Sequence, residues 1–301
     1  MSVSIRPIYS YPYSFFIMKV MKRITIALTF LFGLSIASFS SAAVLSISVS
    51  NAYPVQGDTV RITVSGSASA PQTATLGGET ANFFPYGGRY IAAIGLKVTA
   101  QTGWQKITLT FADGATRVKW IDVLKKKITV ETFAVPPQIG MTPTELVQSL
   151  NDENATLDKI LNAVTPQSYI TGAFGLPLLN NTHITDWYGI LRKMGSQEFW
   201  HLGTDFASPA GSAVGAMQAG IVRFATSTVS YGNMVVVDHG EGIYSMYLHL
   251  SKIVASVGQE VKKGTVIGLV GDTGLSTGDH LHISIKVNGV SVDPLRFVKV
   301  F

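Results

Sequence analysis

The sequence predicts a predominantly all-β protein, two β-rich halves joined by a single helix. Three observations lead there. Apolar and polar residues alternate with period two across residues 44–133. One stretch of helical periodicity, with its own start signal, covers residues 142–164. Residues 170–301 then return to short apolar runs punctuated by glycine.

At 301 residues, 47% hydrophobic and 14% charged, the chain has material for one to three domains with a true core, and its charge content is too low for a disordered chain. There is no cysteine, which excludes a disulfide framework, a thiol nucleophile and thiolate metal ligands. Any metal must be held by His, Asp or Glu. The formal charge of +5 is misleading as to partners. Arg6, Lys19, Lys22 and Arg23 precede residue 43, where no acidic residue occurs; without them 19 basic residues face 18 acidic ones. A nucleic-acid binder concentrates basic charge on its folded surface, so this partner class is set aside.

Taken in order, the first element is a leader. Lys19, Lys22 and Arg23 flank an apolar run from Ile24 to Phe39, and Ser41-Ala42-Ala43 follows. This is the pattern of a secretory signal peptide over residues 1–43, starting at Met18 or Met21 and cleaved after Ala43. An uncleaved anchor is the alternative, although the run is marginal against the ~20 apolar residues of a spanning helix. The expected product is exported, periplasmic or secreted and cell-wall associated, touching membrane only if the leader stays.

Residues 44–135 read as a β-sandwich. Val60, Ile62 and Val64 alternate with Arg61 and Thr63; Tyr90, Ala92 and Ile94 alternate, as do Ile107, Leu109 and Phe111. Gly57-Asp58, Gly77-Gly78, Gly87-Gly88 and Asp113-Gly114 supply turns between them. The region holds no histidine and nothing catalytic. Lys125, Lys126 and Lys127 read as a solvated strand edge. Residues 136–169 form a linker. Pro136-Pro137 ends the β pattern, Thr142 is an N-cap, Pro143 suits the first helical position, and Glu145 completes a capping box. Leu146, Val147, Leu150, Leu157, Ile160, Leu161 and Val164 mark the face that packs on a neighbour.

Residues 170–301 carry the chemistry. All six histidines lie here: His183, His201, His239, His249, His280 and His282. On a strand, His280 and His282 share a face while Leu281 points to the opposite layer. His201 and Asp205 are an even interval apart and can share a face, with Gly203 allowing a bend between them. His249 sits inside the apolar strand Tyr247–Leu250. One histidine on an apolar strand is ordinarily a satisfied core residue. Several buried together need a metal or partners, because buried polar groups must be compensated. Two histidines and one carboxylate with an open fourth position is the pattern of a catalytic zinc site. His239 reads as a strand-end residue with local hydrogen bonds, and His183, near Asn180 and Asn181, as a surface-loop residue. Arg192 is read evenly as a salt-bridge partner or a substrate contact, and Tyr247 as packing beside the site.

The string His201-x-x-x-Asp205, Tyr247-x-His249-Leu250 and His280-Leu281-His282 resembles the lysostaphin/LytM-type zinc metallopeptidases. Gly220-Ile221-Val222, Lys263–Gly268, Gly271–Gly278, Asn288-Gly289 and Asp293-Pro294 follow in that family's order. Tyr188-Gly189 with Arg192 resembles its aromatic-Gly-x-Arg entrance, with one residue more. The resemblance covers about residues 170–299, and it implies an antiparallel β catalytic domain with an open groove. Carried over by position, it implies one zinc ion held by His201, Asp205 and His282. His249 and His280 become an unligated catalytic pair, with His280 favoured as base and His249 as oxyanion stabiliser. The expected protein is an exported, monomeric zinc endopeptidase acting on peptidoglycan stem peptides, with D-Ala–diaminopimelate cross-links favoured. The alternatives are a non-catalytic regulator of a cell-wall amidase and a bacteriolytic enzyme for polyglycine bridges.

Overall fold

The computed structural model describes residues 44–178 and 183–301. The leader and the pair Asn180 and Asn181 lie outside the described residues, and no helix among the described residues is long and apolar enough to cross a membrane. Eight strands build the first half: β1 (Ser46–Val49), β2 (Thr59–Ser65), β3 (Pro71–Leu76), β4 (Glu79–Asn82), β5 (Phe84–Tyr86), β6 (Arg89–Gly95), β7 (Gly103–Phe111) and β8 (Thr116–Val123). They form two antiparallel sheets, ordered β1-β2-β6-β5 and β4-β3-β7-β8. The alternation in the sequence is what lets the sheets pack. Val60, Ile62 and Val64 share one fully buried core with Ala74, Leu109 and Ile121. Each large aliphatic side chain so buried contributes ~1.5–3 kcal/mol.

The connection begins with β9 (Val130–Thr132) and continues into helix α1 (Pro143–Leu161). The capping box forms as the sequence indicates, with Thr142 accepting from the Glu145 amide and Glu145 accepting from the Thr142 amide. The helix packs by both ends. Leu146 is buried with Met194 and Leu275, and Leu157 and Leu161 pack on Met234, Val236, Tyr244, Met246 and Leu248.

The second half contains β10 (His183–Asp186), β11 (Leu191–Met194), β12 (Gln197–Trp200), β13 (Thr204–Ala207), β14 (Ala213–Gly215), β15 (Gly220–Thr228), β16 (Gly232–Asp238) and β17 (Ile243–Leu250). After these come β18 (Lys252–Ile253), β19 (Glu260–Val261), β20 (Val266–Leu269), β21 (His280–Val287), β22 (Val290–Val292) and the short helix α2 (Pro294–Phe297). The main antiparallel sheet runs β10-β13-β21-β17-β16-β15-β19, with β22 also paired to β21. One face is covered by the core containing Phe206, Val235, Tyr247, Leu281, Ile283 and Ile285. The other face meets α1. A small sheet, β14-β20-β18, lies beside it, and β9 adds in parallel to β11 in the sheet β12-β11-β9. That parallel pairing has no signal in the sequence, because β9 is three residues long and its apolar residue, Val130, is exposed.

The two β halves are joined by specific contacts. Asp58, nearly buried, is ion-paired to Arg296, whose Nη2 lies 2.7 Å from Asp58 Oδ2. Lys126 corrects the reading of the basic run. Its ammonium lies 5.5 Å from the centre of the Tyr188 ring and 3.9 Å from Asp293, so it turns inward. A cation over an aromatic face with a carboxylate beside it is a better environment than an exposed edge.

Candidate metal centre and flanking histidines

The site is assembled on the face of the main sheet that looks toward α1. On β21 the side chains alternate as the sequence predicts. Leu281, Ile283 and Ile285 enter the core beneath, and His280, His282 and Ser284 stand on the other face. On the neighbouring β13, Asp205 is the direct cross-strand partner of His282. Residues on adjacent strands in such pairs have Cβ atoms only ~5 Å apart, so pairing alone delivers the carboxylate to the imidazole.

His201 arrives differently. It precedes β13, with its amide bonded to the Ile190 carbonyl at 2.8 Å and its own carbonyl accepting from the Gly189 amide at 2.8 Å. The bend at Gly203 then carries the chain into the strand. Glycine is required there by crowding, and not by a left-handed backbone. A Cβ at 203 would sit 2.2 Å from His282 Nε2 and 2.5 Å from the Ile283 carbonyl oxygen.

The result is a tight triangle. His282 Nδ1 lies 2.7 Å from Asp205 Oδ1, His201 Nε2 lies 3.1 Å from the same oxygen, and the two nitrogens are 3.0 Å apart. All three residues are at least nine-tenths buried. His201 Nδ1 donates to the Trp187 carbonyl at 2.9 Å, and this leaves its Nε2 with a bare lone pair. His282 Nε2 lies 2.9 Å from Ser284 Oγ. Arg192 Nη2 lies 3.3 Å from the other oxygen of Asp205 and is also paired to Asp186, so Arg192 takes the salt-bridge role. Burial drives the Asp205 carboxyl up, but His282 and His201 outweigh that and hold it well below the usual carboxylate range. Burial pushes His282 down to about 4, so its imidazole is neutral.

These residues fit a divalent metal. Donor atoms on a tetrahedral zinc with bonds of ~2.0–2.1 Å stand ~3.3 Å apart, and the three atoms here are spaced 2.7–3.1 Å. They are the one group among the described residues with ligand atoms converging in this way, all within 4.8 Å of one another.

His249 and His280 flank the triangle. Their ring centres are 4.8 Å apart, and the His249 ring centre is 5.9 Å from that of His282. His280 Nε2 is 3.8 Å from Asp205 Oδ2. The Nδ1 of His249 donates to the Thr273 carbonyl at 2.8 Å, and that of His280 to the Gly278 carbonyl at 2.8 Å. Both Nε2 atoms therefore present lone pairs. Burial, reinforced by the other imidazoles, depresses His249 to about 3.

Strand period alone places His249 on the wrong face, together with Tyr247. Tyr247 does enter the core beneath, where its hydroxyl accepts from the Met217 amide at 2.7 Å. The register between β16 and β17 shifts between Asn233 and Val235, and His249 has φ of 62°. This bulge with a left-handed residue turns the imidazole to the site face. A non-glycine residue in that region is strained by ~1–2 kcal/mol.

The remaining histidines stand apart. His239 is fully buried, bonded to the Ala219 carbonyl and Ser245 Oγ at 2.8 Å each, as a structural residue should be. His183 is exposed and opens β10; it belongs to a strand and not to a loop. Two hollows adjoin the triangle. One, of 490 Å³, lies between α1 and the site, with Leu150, Asn154, Trp200, Tyr231, His249 and His282 in its walls. The other, of 360 Å³, is bounded by Phe133, Arg192, Asp205, Ser276 and His280. The sequence reading did not single out Ser284, Asp186 or the fixing carbonyls of Trp187, Thr273 and Gly278. Only Ser284 carried a signal, its i+2 spacing from His282.

Comparison with known proteins agrees with this geometry. Residues 200–294 match peptidase family M23. The chain is 38% identical over 126 residues to a DD-carboxypeptidase/endopeptidase of Neisseria meningitidis, covering 41% of this chain and 29% of the relative. It is 44% identical over 96 residues to the peptidoglycan DD-endopeptidase ShyA of Vibrio cholerae, covering 32% and 22%. The chain thus spans less than a third of the length of the curated relatives it matches. A crystal structure of a candidate M23 peptidase from Pseudomonas aeruginosa superimposes with a TM-score of 0.62 at 29% identity, covering 82% of this chain and 96% of that one. Motif order, strand pairing and relatives converge on residues 200–294, which carry a peptidase family M23 domain.

Proposed function

We propose that the protein is an exported zinc-dependent endopeptidase that hydrolyses peptide cross-links of peptidoglycan, with D-Ala–diaminopimelate bonds as the preferred target. One observation carries this reading: three buried acceptor atoms, from His201, Asp205 and His282, face one another at 2.7–3.1 Å, with two further imidazoles beside them. The bond preference is supported by relatives named as DD-endopeptidases. Export is supported by the charged flank and apolar run of the leader. The domain limits 44–135, 136–169 and 170–301, and a monomeric state, belong to the same proposal.

Held by His201, Asp205 and His282, zinc would supply a water acidified toward pH ~7 and would polarise the scissile carbonyl. The chain's own residues do the rest. Asp205 offers Oδ1 to the cluster while Arg192 holds Oδ2. His249 and His280 each have Nδ1–H committed to a carbonyl, so each Nε2 can accept a proton and, once protonated, donate it. His280, the more exposed, takes the proton from water. The same proton, passed on to His249, whose ring centre is 4.8 Å away, is offered to the tetrahedral oxyanion as a hydrogen bond and then released to the departing amine. The hollows on either side of the triangle suit an extended peptide lying across the site.

The test is mass spectrometry of defined cross-linked muropeptides incubated with the purified full chain. Cleavage at the D-Ala–diaminopimelate bond, abolished by a chelator and restored by zinc, is expected. Intact muropeptides in the presence of stoichiometrically bound zinc would refute the hydrolase reading.

A further inference from the structure

Ser284 follows His282 by two residues on β21, stands on the same face and is 7% exposed. Its hydroxyl has one hydrogen to give and lone pairs to receive. The Leu202 carbonyl, 2.9 Å away, can only accept, so it takes that hydrogen. His282 Nε2 lies 2.9 Å from the same hydroxyl oxygen, which has no second hydrogen to offer. The imidazole must therefore bring its own. Nε2–H donates to Ser284 Oγ, and Nδ1 is left with a lone pair aimed at Asp205 Oδ1, 2.7 Å away, and His201 Nε2, 3.0 Å away.

We propose that Ser284 is a positioning residue for the metal: it fixes His282 in the Nε2–H form and ties the backbone between His201 and Asp205 to the strand that carries His282. The inference rests on the reading of His201, Asp205 and His282 as ligands. Its physical content is a competition. Without the hydroxyl, the hydrogen of His282 can move to Nδ1 and be donated to Asp205, and that form blocks the ligand lone pair. Of the two ligand imidazoles, His282 is the one whose outer nitrogen is held by a side chain. His201 is held by the Trp187 carbonyl, which no substitution removes. The Leu202 carbonyl adds the second function, because Leu202 lies between His201 and Gly203, at the bend that aligns His201 with Asp205. Outer partners of this kind orient ligating histidines and tune their basicity.

The experiment uses the full chain and zinc, with affinity read by competition against a chromophoric chelator. Ser284→Ala is expected to bind zinc about 10–100-fold more weakly than the native chain, and Ser284→Thr, which keeps the hydroxyl, within a few-fold of it. In zinc-loaded, histidine-labelled protein the His282 Nε2–H proton should be visible by NMR in the native and Thr forms. In the Ala form it should be lost to exchange with water. Native affinity together with a protected Nε2–H in Ser284→Ala would overturn the proposal. If Ser284→Ala fails to fold, an unprotected His282 Nε2–H in the native chain overturns it equally. A native chain that binds no zinc, or a His282→Ala variant that binds it fully, would overturn the ligand set itself, and this inference with it.

Discussion

Gly203→Ala adds one methyl group where the structure has no room. The new carbon would stand 2.2 Å from His282 Nε2, 2.5 Å from His282 Cε1 and 2.5 Å from the Ile283 carbonyl oxygen. Unbonded heavy atoms settle at about 3.5–4.0 Å, so roughly 1 Å of movement is needed. The carbonyl belongs to the central strand β21 and yields little, so the backbone at 203 must back away from it and the His282 ring must turn aside as well. Overpacking of this kind costs about 1–3 kcal/mol. The larger effect falls on the site, where a 1 Å misplacement lowers turnover about 10²-fold. Zinc affinity by chelator competition, muropeptide hydrolysis and urea unfolding should be measured together. Gly258→Ala is the control. It has φ of +86° but nothing within 4 Å, so it should cost only about 1 kcal/mol of backbone strain and leave zinc binding alone. A Gly203→Ala protein with native zinc affinity and native turnover would refute the reasoning that places His282 over this glycine.

Three further outcomes are expected. His249→Ala should retain zinc while hydrolysis falls about 10²–10⁴-fold, and near-normal turnover would make His249 a packing residue. His239 is held down at about 4 by burial, against an ordinary 6.5. The unfolded chain therefore takes up a proton that the folded chain refuses as pH falls through this window. Stability from this residue is full above pH 6.5 and lost toward pH 4, on the order of 3 kcal/mol. Urea unfolding across that range should show a shallower slope in His239→Gln than in the native chain; parallel slopes would contradict the assignment. Arg296→Ala strands the nearly buried Asp58 carboxylate and should destabilise the chain by about 1–3 kcal/mol without altering zinc affinity, checked by denaturant unfolding and chelator competition.

Much of this molecule could be read before any coordinates. Period-two alternation gave the sandwich strands because one face of each sheet is buried. The capping box and the Leu146-to-Leu161 stripe gave α1, because helix ends and apolar faces are local chemistry. His280-x-His282 gave a shared face, since strand geometry fixes that relation whatever the partner. The inward turn of Lys126 is not legible because nothing in its neighbours announces Tyr188, and β9 is not legible because a three-residue exposed strand has no periodicity.

The sequence by itself determined which residue types were available for the site and which side of β21 they share, since these follow from composition and a two-residue repeat. Only the tertiary structure decided that Asp205 pairs across from His282, that a bulge turns His249 against its strand's alternation, and that Ser284 reaches Leu202. Strand register and left-handed residues arise from contacts distant along the chain, where pairing and core packing outweigh local preference by enough to hold a strained backbone in place.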